Sequence, residues 1–188
     1  YPFGSDRAVR MHVPGITDTL DGASRPGHFD GVCTVVARLF NQVQPDVAAF
    51  GKKDFQQLAV IQQMVIDLAY PLTLLRGEIV RETDGLAMSS RNQYLSPEDR
   101  VVAAEIHRTL LEMRLQLSAG VSRASVEAGA ALRLEDAGFS VDYTAIRTPD
   151  LVEPAIEPEH YVLPGPRVAL IAARLGRTRL IDNLEFST

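Results

Sequence analysis

The chain has 188 residues, 46% of them hydrophobic and 23% charged, which is enough for one medium domain or two small ones with a buried core. Its 19 basic and 24 acidic residues leave a net charge of −5, which argues against a nucleic-acid or membrane-surface binder, since either needs a basic face; a small anionic ligand needs only a few local cations. A single cysteine excludes an intrachain disulfide and points to a reducing cytoplasm, and no apolar run is long enough to span a bilayer.

Tyr1-Pro2-Phe3-Gly4 is no signal peptide: it has no Met and no basic stretch, and it reads like the middle of a longer protein. Arg7 to Val13 alternates and is expected as a short strand. Pro14 to Gly31 is rich in turn formers. Asp30 is then placed to cap a helix whose apolar residues Val32, Val35, Val36, Leu39, Phe40 and Val43 share one face, with Pro45 ending it. Cys33 lies in this apolar stretch and is read as a core residue.

Val47-Ala48-Ala49-Phe50 reads as a buried strand and Gly51-Lys52-Lys53-Asp54 as a turn. Phe55 to Ala69 reads as a helix with Leu58, Ile61, Val65 and Leu68 inward, and Pro71 to Val80 contains the next strand. Strand, helix, strand makes a βαβ unit with parallel strands and a right-handed crossover, part of a doubly wound α/β sheet. The character changes near Val80, where the domain boundary is placed, giving units 1–79 and 80–188. Arg81 to Asn92 is polar and loop-like. Ser96-Pro97-Glu98-Asp99 opens a helix expected to run to about Ala119, and a second runs from about Ser122 to Ala137, with Gly120 and Gly138 as stops. Ser140 to Arg147, Arg167 to Arg174 and Arg177 to Phe186 are strand-like, the last two forming a hairpin at Gly176, so a small α+β domain with an antiparallel three-stranded sheet is expected.

Three stretches carry candidate chemistry. In an open α/β sheet, ligands bind at the carboxyl ends of the strands, where a helix N-terminus offers free N–H groups. Gly51 lets the backbone turn closely there, Lys53 supplies a mobile cation for phosphate oxygens, Asp54 is placed to cap the helix, and Gln57 lies one turn on. A solvated lysine pair at a tight turn would look the same. In Asp84-Gly85-Leu86-Ala87-Met88-Ser89-Ser90-Arg91-Asn92, two hydroxyls and a guanidinium could clamp a phosphate, and an ordinary interdomain linker is the competing reading. In Arg25-Pro26-Gly27-His28-Phe29, Arg25 could hold a carboxylate and His28 could move a proton, or the segment could simply turn the chain into the next helix. His12, His107 and His160 stand singly without zinc-ligand spacing, and His107 reads as surface or packing.

Taken together, Arg25 to Val32, Phe50 to Leu58 and Asp84 to Asn92 resemble three successive signatures of the pantothenate synthetase family, in order and at matching spacing, and Arg179-Leu180-Ile181-Asp182-Asn183 resembles the family's ending. The resemblance implies a Rossmann-like, nucleotidyltransferase-type domain followed by a lid. It implies an ATP-dependent ligase, a cytoplasmic homodimer on the route to coenzyme A, that condenses pantoate with β-alanine through a pantoyl adenylate. AMP and pyrophosphate are released, and Mg2+ accompanies the nucleotide. Carried onto this chain, it assigns Gly51, Lys52, Lys53 and Asp54 to ATP, Lys53 to its phosphates, Gln57 to pantoate and Val80 to adenine. Met88, Ser89, Ser90 and Arg91 match the family's version of the mobile KMSKS-type loop of class I aminoacyl-tRNA synthetases.

Two departures stand out. Family members often have an acid where Lys52 stands. The family's HxGH-type motif is absent, because no two of the four histidines have that spacing. The expectation is therefore a C-terminal portion of such an enzyme, holding about half of an active site and inactive alone. Two other readings compete: another adenylyl-transferring enzyme of the same architecture, and a non-catalytic dimerisation module with no ATP affinity.

Overall fold

A computed structural model describes residues 8–154 and 164–188 together with Gly4; the readings made at Tyr1-Pro2-Phe3, Arg7 and His160 fall outside these residues. The chain divides into two compact units, Tyr1–Gly77 and Glu78–Thr188.

The first unit runs through a short helix α1 (Asp21–Ser24), α2 (His28–Val43), strand β1 (Val47–Gly51), a 3-10 turn (Lys52–Asp54), α3 (Phe55–Asp67) and β2 (Thr73–Gly77). β1 and β2 pair in parallel, from Val47 opposite Thr73 to Gly51 opposite Gly77, as the βαβ reading required. Residues 8–13 form no strand. The Met11 N–H donates to Thr34 Oγ1 (2.9 Å), so this backbone is tied to a helix side chain rather than to a neighbouring strand. Helix α2 starts at His28, earlier than the Asp30 cap anticipated. Gly27 turns the chain with φ +76°, a left-handed conformation that favours glycine, and the Asp30 carboxylate instead meets His12 Nδ1 at 2.8 Å.

The face that α2 buries is Phe29, Cys33, Val36, Ala37 and Phe40, while Val35, Leu39 and Val43 stay exposed. The sequence reading rotated this face, because apolar residues occur on both sides of the helix. Cys33 is fully buried, and burial pushes its thiol up to about 11, which suits an inert core residue. From α3, Leu58, Val60, Ile61, Met64 and Val65 complete the core, whereas Leu68, beyond the last helical turn, is half exposed. The ring of Phe40 meets Phe50 and Tyr70 edge-on, at 6.4 and 5.4 Å. β1 is not the fully buried strand expected: Ala48 and Phe50 face the core, and Val47 and Ala49 alternate outward.

Gln56 is the polar centre of this unit. Its Oε1 accepts from the Asp21 N–H (2.9 Å), and its Nε2 donates to the carbonyls of Ile16 (2.6 Å) and Thr19 (2.8 Å). The side chain is buried and pins residues 16–21 onto α3. Gln56→Ala strands one donor and two acceptors and is expected to destabilise the fold by about 2–4 kcal/mol. Urea unfolding followed by circular dichroism reads this directly, and a loss within error would show that solvent takes over these bonds.

The second unit contains α4 (Pro97–Ala103), α5 (Glu105–Ser118), α6 (Arg123–Asp136) and strands β3 (Ser140–Arg147), β4 (Pro166–Leu175) and β5 (Thr178–Ser187). Ser96 caps α4, its hydroxyl accepting from the Asp99 N–H (3.0 Å), and Pro97 takes the first helical position. The single helix expected to Ala119 is interrupted at Ala104, where neither glycine nor proline marks a break. The sheet is antiparallel in the order β3-β4-β5, with a two-residue turn at Gly176-Arg177. Ile106, Leu110, Met113 and Leu117 of α5 and Val126, Ala130 and Leu134 of α6 pack on Ile146, Ala169, Ile171 and Ala173 of the sheet. The architecture is thus α/β, a small parallel sheet followed by a three-stranded antiparallel one. Among the described residues no helix is long and apolar enough to cross a membrane.

Candidate active site

The residues singled out from the sequence divide between the units. In the first, β1 and β2 end side by side, and a Cβ built on Gly77 would lie 3.7 Å from the Phe50 carbonyl oxygen. At that carboxyl end the chain passes from Gly51 through the Lys52–Asp54 turn into α3. Lys52 and Lys53 are half-buried. Asp54 occupies the N-cap position of α3, yet its side chain makes no capping bond, so the cap expected of it is positional only. Gln57 is half-buried in the first turn of α3, while its neighbour Gln56 is committed to the core. Phe55 is buried, and the Arg76 guanidinium lies 5.6 Å from its ring centre. The result is a strand-to-helix turn that places two lysines beside a helix N-terminus, an arrangement suited to phosphate oxygens.

Arg25 and His28 also meet. Arg25 Nη1 lies 2.9 Å from His28 Nε2, and the His28 N–H donates to the Arg25 carbonyl (3.0 Å). Beside them His12, which stands alone in the sequence, pairs with Asp30, and this hydrogen bond raises the imidazole above its ordinary value. A recess of about 230 Å³ is lined by His12, Thr17, Asp18, Arg25, Phe29 and Asp30. The turn therefore leads the chain into α2 and lines the recess at once.

In the second unit, residues 80–92 are more ordered than a polar linker. The Met88 N–H donates to the Val80 carbonyl (2.9 Å), the Glu82 N–H to the Leu86 carbonyl (2.9 Å), and Arg81 and Ala87 form an antiparallel bridge. Leu86 and Ala87 are buried. Gly85 sits at φ +92° against the His107 ring, where a Cβ would come within 2.4 Å of Cδ2, so only glycine fits this turn. His107 is a packing residue: burial and then the Arg81 charge hold it below its ordinary value, and its Nδ1 has no hydrogen-bond partner among the described residues. Ser89 follows as the N-cap of a 3-10 helix (Ser90–Tyr94), its Oγ accepting from the Arg91 N–H (3.2 Å), and the Ser90 and Arg91 side chains are exposed. Val80 and Met88, joined through their backbones, are also exposed, at 64% and 51%.

The sequence reading missed Gln56, Arg81 and the role of Asp182. Arg81 holds the buried Asp182 with both terminal nitrogens, at 2.6 and 3.0 Å. One signal was available: Asp182 shares the strand register of the inward residues Thr178 and Leu180, and a carboxylate there needs a cation.

Comparison with known proteins bears on the family of the chain as a whole. The family model described as pantoate-beta-alanine ligase matches residues 1–185. The pantothenate synthetase of Xanthomonas campestris pv. campestris (strain B100) is 66% identical over 99% of the chain and 65% of its own length, and that of Xanthomonas oryzae pv. oryzae (strain PXO99A) is 65% identical over the same shares. The crystal structure of pantothenate synthetase from Thermus thermophilus superposes with a TM-score of 0.84 at 45% identity, covering 94% of this chain and 63% of that one. The Francisella tularensis pantoate-beta-alanine ligase, complexed with beta-gamma ATP and beta-alanine, gives 0.73 at 27% identity over 98% of this chain and 60% of its own. The chain thus spans between 60% and 65% of the length of these relatives. With the family model matching residues 1–185, the chain belongs to the pantoate–β-alanine ligase family.

Proposed function

We propose that this chain carries the phosphate-facing part of an ATP-dependent ligase that joins pantoate to β-alanine, with residues 1–79 as the later half of a nucleotide-binding domain and 80–188 as its lid. The observation that carries the reading is the delivery of Gly51-Lys52-Lys53-Asp54 to a helix N-terminus at the carboxyl end of a parallel strand pair, in a chain of this family.

In the first half-reaction a pantoate carboxylate oxygen attacks the α-phosphorus of ATP. An O–P bond forms, the bond to the bridging oxygen breaks, and pyrophosphate leaves. Negative charge builds on the transferring and departing phosphates, and Lys53, the α3 N–H groups, Ser89, Ser90 and Arg91 are of the types that stabilise it. Lys52 and Asp54 complete the loop against the nucleotide. Val80 and Met88 offer exposed apolar surface to a purine. In the second half-reaction the β-alanine amine attacks the acyl carbon, the C–O bond to AMP breaks, and the amine gives up a proton. Magnesium, entering with ATP, would screen the triphosphate charge; a donor set of cations and hydroxyls with one carboxylate, Asp54, fits a metal carried by phosphate oxygens. The reading includes a cytoplasmic homodimer.

The test is release of AMP and pyrophosphate in a chain extended with the part of the Xanthomonas relative that the match leaves uncovered. Release is expected only with pantoate, and pantothenate only with β-alanine. Adenylation of a different acid would point to another adenylyl-transferring enzyme, and no ATP binding at all to a dimerisation module.

Gln57, half-buried one turn into α3, is assigned to pantoate in this scheme. Gln57→Ala in the extended chain is expected to raise the pantoate KM and slow adenylation, weakening pantoate by about 1–3 kcal/mol while ATP binding holds. Steady-state kinetics with each substrate varied separates the two, and unchanged pantoate parameters would remove Gln57 from the site.

A further inference from the structure

We propose that Arg81 and Asp182 form a latch that positions the Ser89-Ser90-Arg91 segment, so that Arg81 is a positioning residue for the phosphate chemistry; this rests on the ligase reading and deepens it. One guanidinium makes four hydrogen bonds. Nη1 donates to Asp182 Oδ2 (2.6 Å) and to the Gly85 carbonyl (3.0 Å), and Nη2 donates to Asp182 Oδ1 (3.0 Å) and to the Asn183 carbonyl (3.2 Å). It therefore ties the start of the loop, its Gly85 turn and β5 to one point. Asp182 has only 3% of its side chain exposed, and its Oδ1 also accepts from the Asn183 N–H (2.8 Å), so its direction is fixed by the sheet.

The tie continues to the candidate phosphate donors through the backbone. Arg81 bridges Ala87, the Ala87 carbonyl accepts from Asn92 Nδ2 (3.1 Å), and the Asn92 N–H donates to the Ser89 carbonyl (3.0 Å). Ser90 and Arg91 are exposed, so packing adds little, and their placement depends on the backbone beneath them. The neighbouring Asp84–Arg100 pair is about one third exposed at both ends and, as a surface ion pair, is the weaker restraint. Lysine at position 81 would keep the charge and lose the two-nitrogen fit and the simultaneous hold on Gly85.

Arg81→Lys and Asp182→Asn serve as paired variants, the second retaining the side chain's shape where the first fails to fold. In the 188-residue chain, amide hydrogen exchange at Glu82, Met88 and Asn92 is expected to quicken about tenfold or more, while β4 and β5 amides hold. In the extended chain, pantoyl-adenylate formation is expected to slow by about 10²-fold, the effect of a displacement near 1 Å, while attack of β-alanine on preformed adenylate changes far less. Unchanged exchange in the loop overturns the latch. Equal slowing of both half-reactions also overturns it, since that is general damage. If the unsubstituted extended chain forms no adenylate, the ligase reading fails, and exchange alone then supports or overturns the hold on the loop.

Discussion

Lys53→Ala, in the chain extended to its relatives' length, is expected to lower the rate of pantoyl-adenylate formation by about 10²-fold or more, the scale of losing one preorganised charge donor. Lys53 sits on the short turn between β1 and α3, half-buried, with its backbone fixed by the strand behind it and the helix ahead. A cation carried on a fixed backbone is expected to contribute as phosphate charge develops, so its contribution is assigned to the transition state rather than to ATP affinity. The second half-reaction makes the assignment specific. Once pyrophosphate has left, the charge that Lys53 is proposed to stabilise has left with it, and attack by β-alanine on preformed adenylate should suffer much less. Single-turnover measurement of each half-reaction gives the ratio. Equal losses would mean that the substitution damages the turn, and loss in the second step alone would move Lys53 to the acyl group.

The parts of this molecule that were legible in the sequence are those fixed by local chemistry. Ser96 and Pro97 open α4, Gly138 follows the end of α6, and Gly176 turns the final hairpin, each near where its residue type requires. The Gly51–Gln57 segment was legible for the same reason, since a strand, a glycine-lysine turn and an amphipathic helix are consecutive in the chain. What escaped was set by partners distant in sequence. Asp30 looked like a helix cap but is drawn to His12, 18 residues away. Gln56 carries no signal of its own in the sequence, yet it binds three backbone groups 35 to 40 residues earlier. Arg81 and Asp182 are 101 residues apart, and neither alone announces a latch. The break at Ala104 has no local marker at all. Periodicity also misled on α2, where Val35, Leu39 and Val43 continue the apolar pattern onto an exposed face.

That exposed face bears on the largest expected effect: the 188-residue chain by itself should make pantothenate at no meaningful rate, whereas the extended chain should. The chain spans 65% of the length of its Xanthomonas relatives, and none of its four histidines has the HxGH-type spacing that the family resemblance leads one to expect. On the proposed ligase reading, a nucleotide site built without that motif would orient and neutralise its ligand less well. Orientation and electrostatics together supply most of the rate in adenylyl transfer. The first unit also leaves Val35, Leu39, Val43, Val47 and Leu75 between 45% and 68% exposed, on one helix and on the outward side of a two-stranded sheet. Apolar area of this kind, beside unpaired strand edges, favours self-association. The expected result is a folded, association-prone protein with weak or no ATP binding. The second unit, with its three helices and antiparallel sheet, should be the more resistant to unfolding. Calorimetry with ATP, light scattering across a concentration series and an AMP-release assay with pantoate and β-alanine measure the three consequences separately. Turnover by the 188-residue chain close to that of the extended one would show that the added residues are not needed for the reaction.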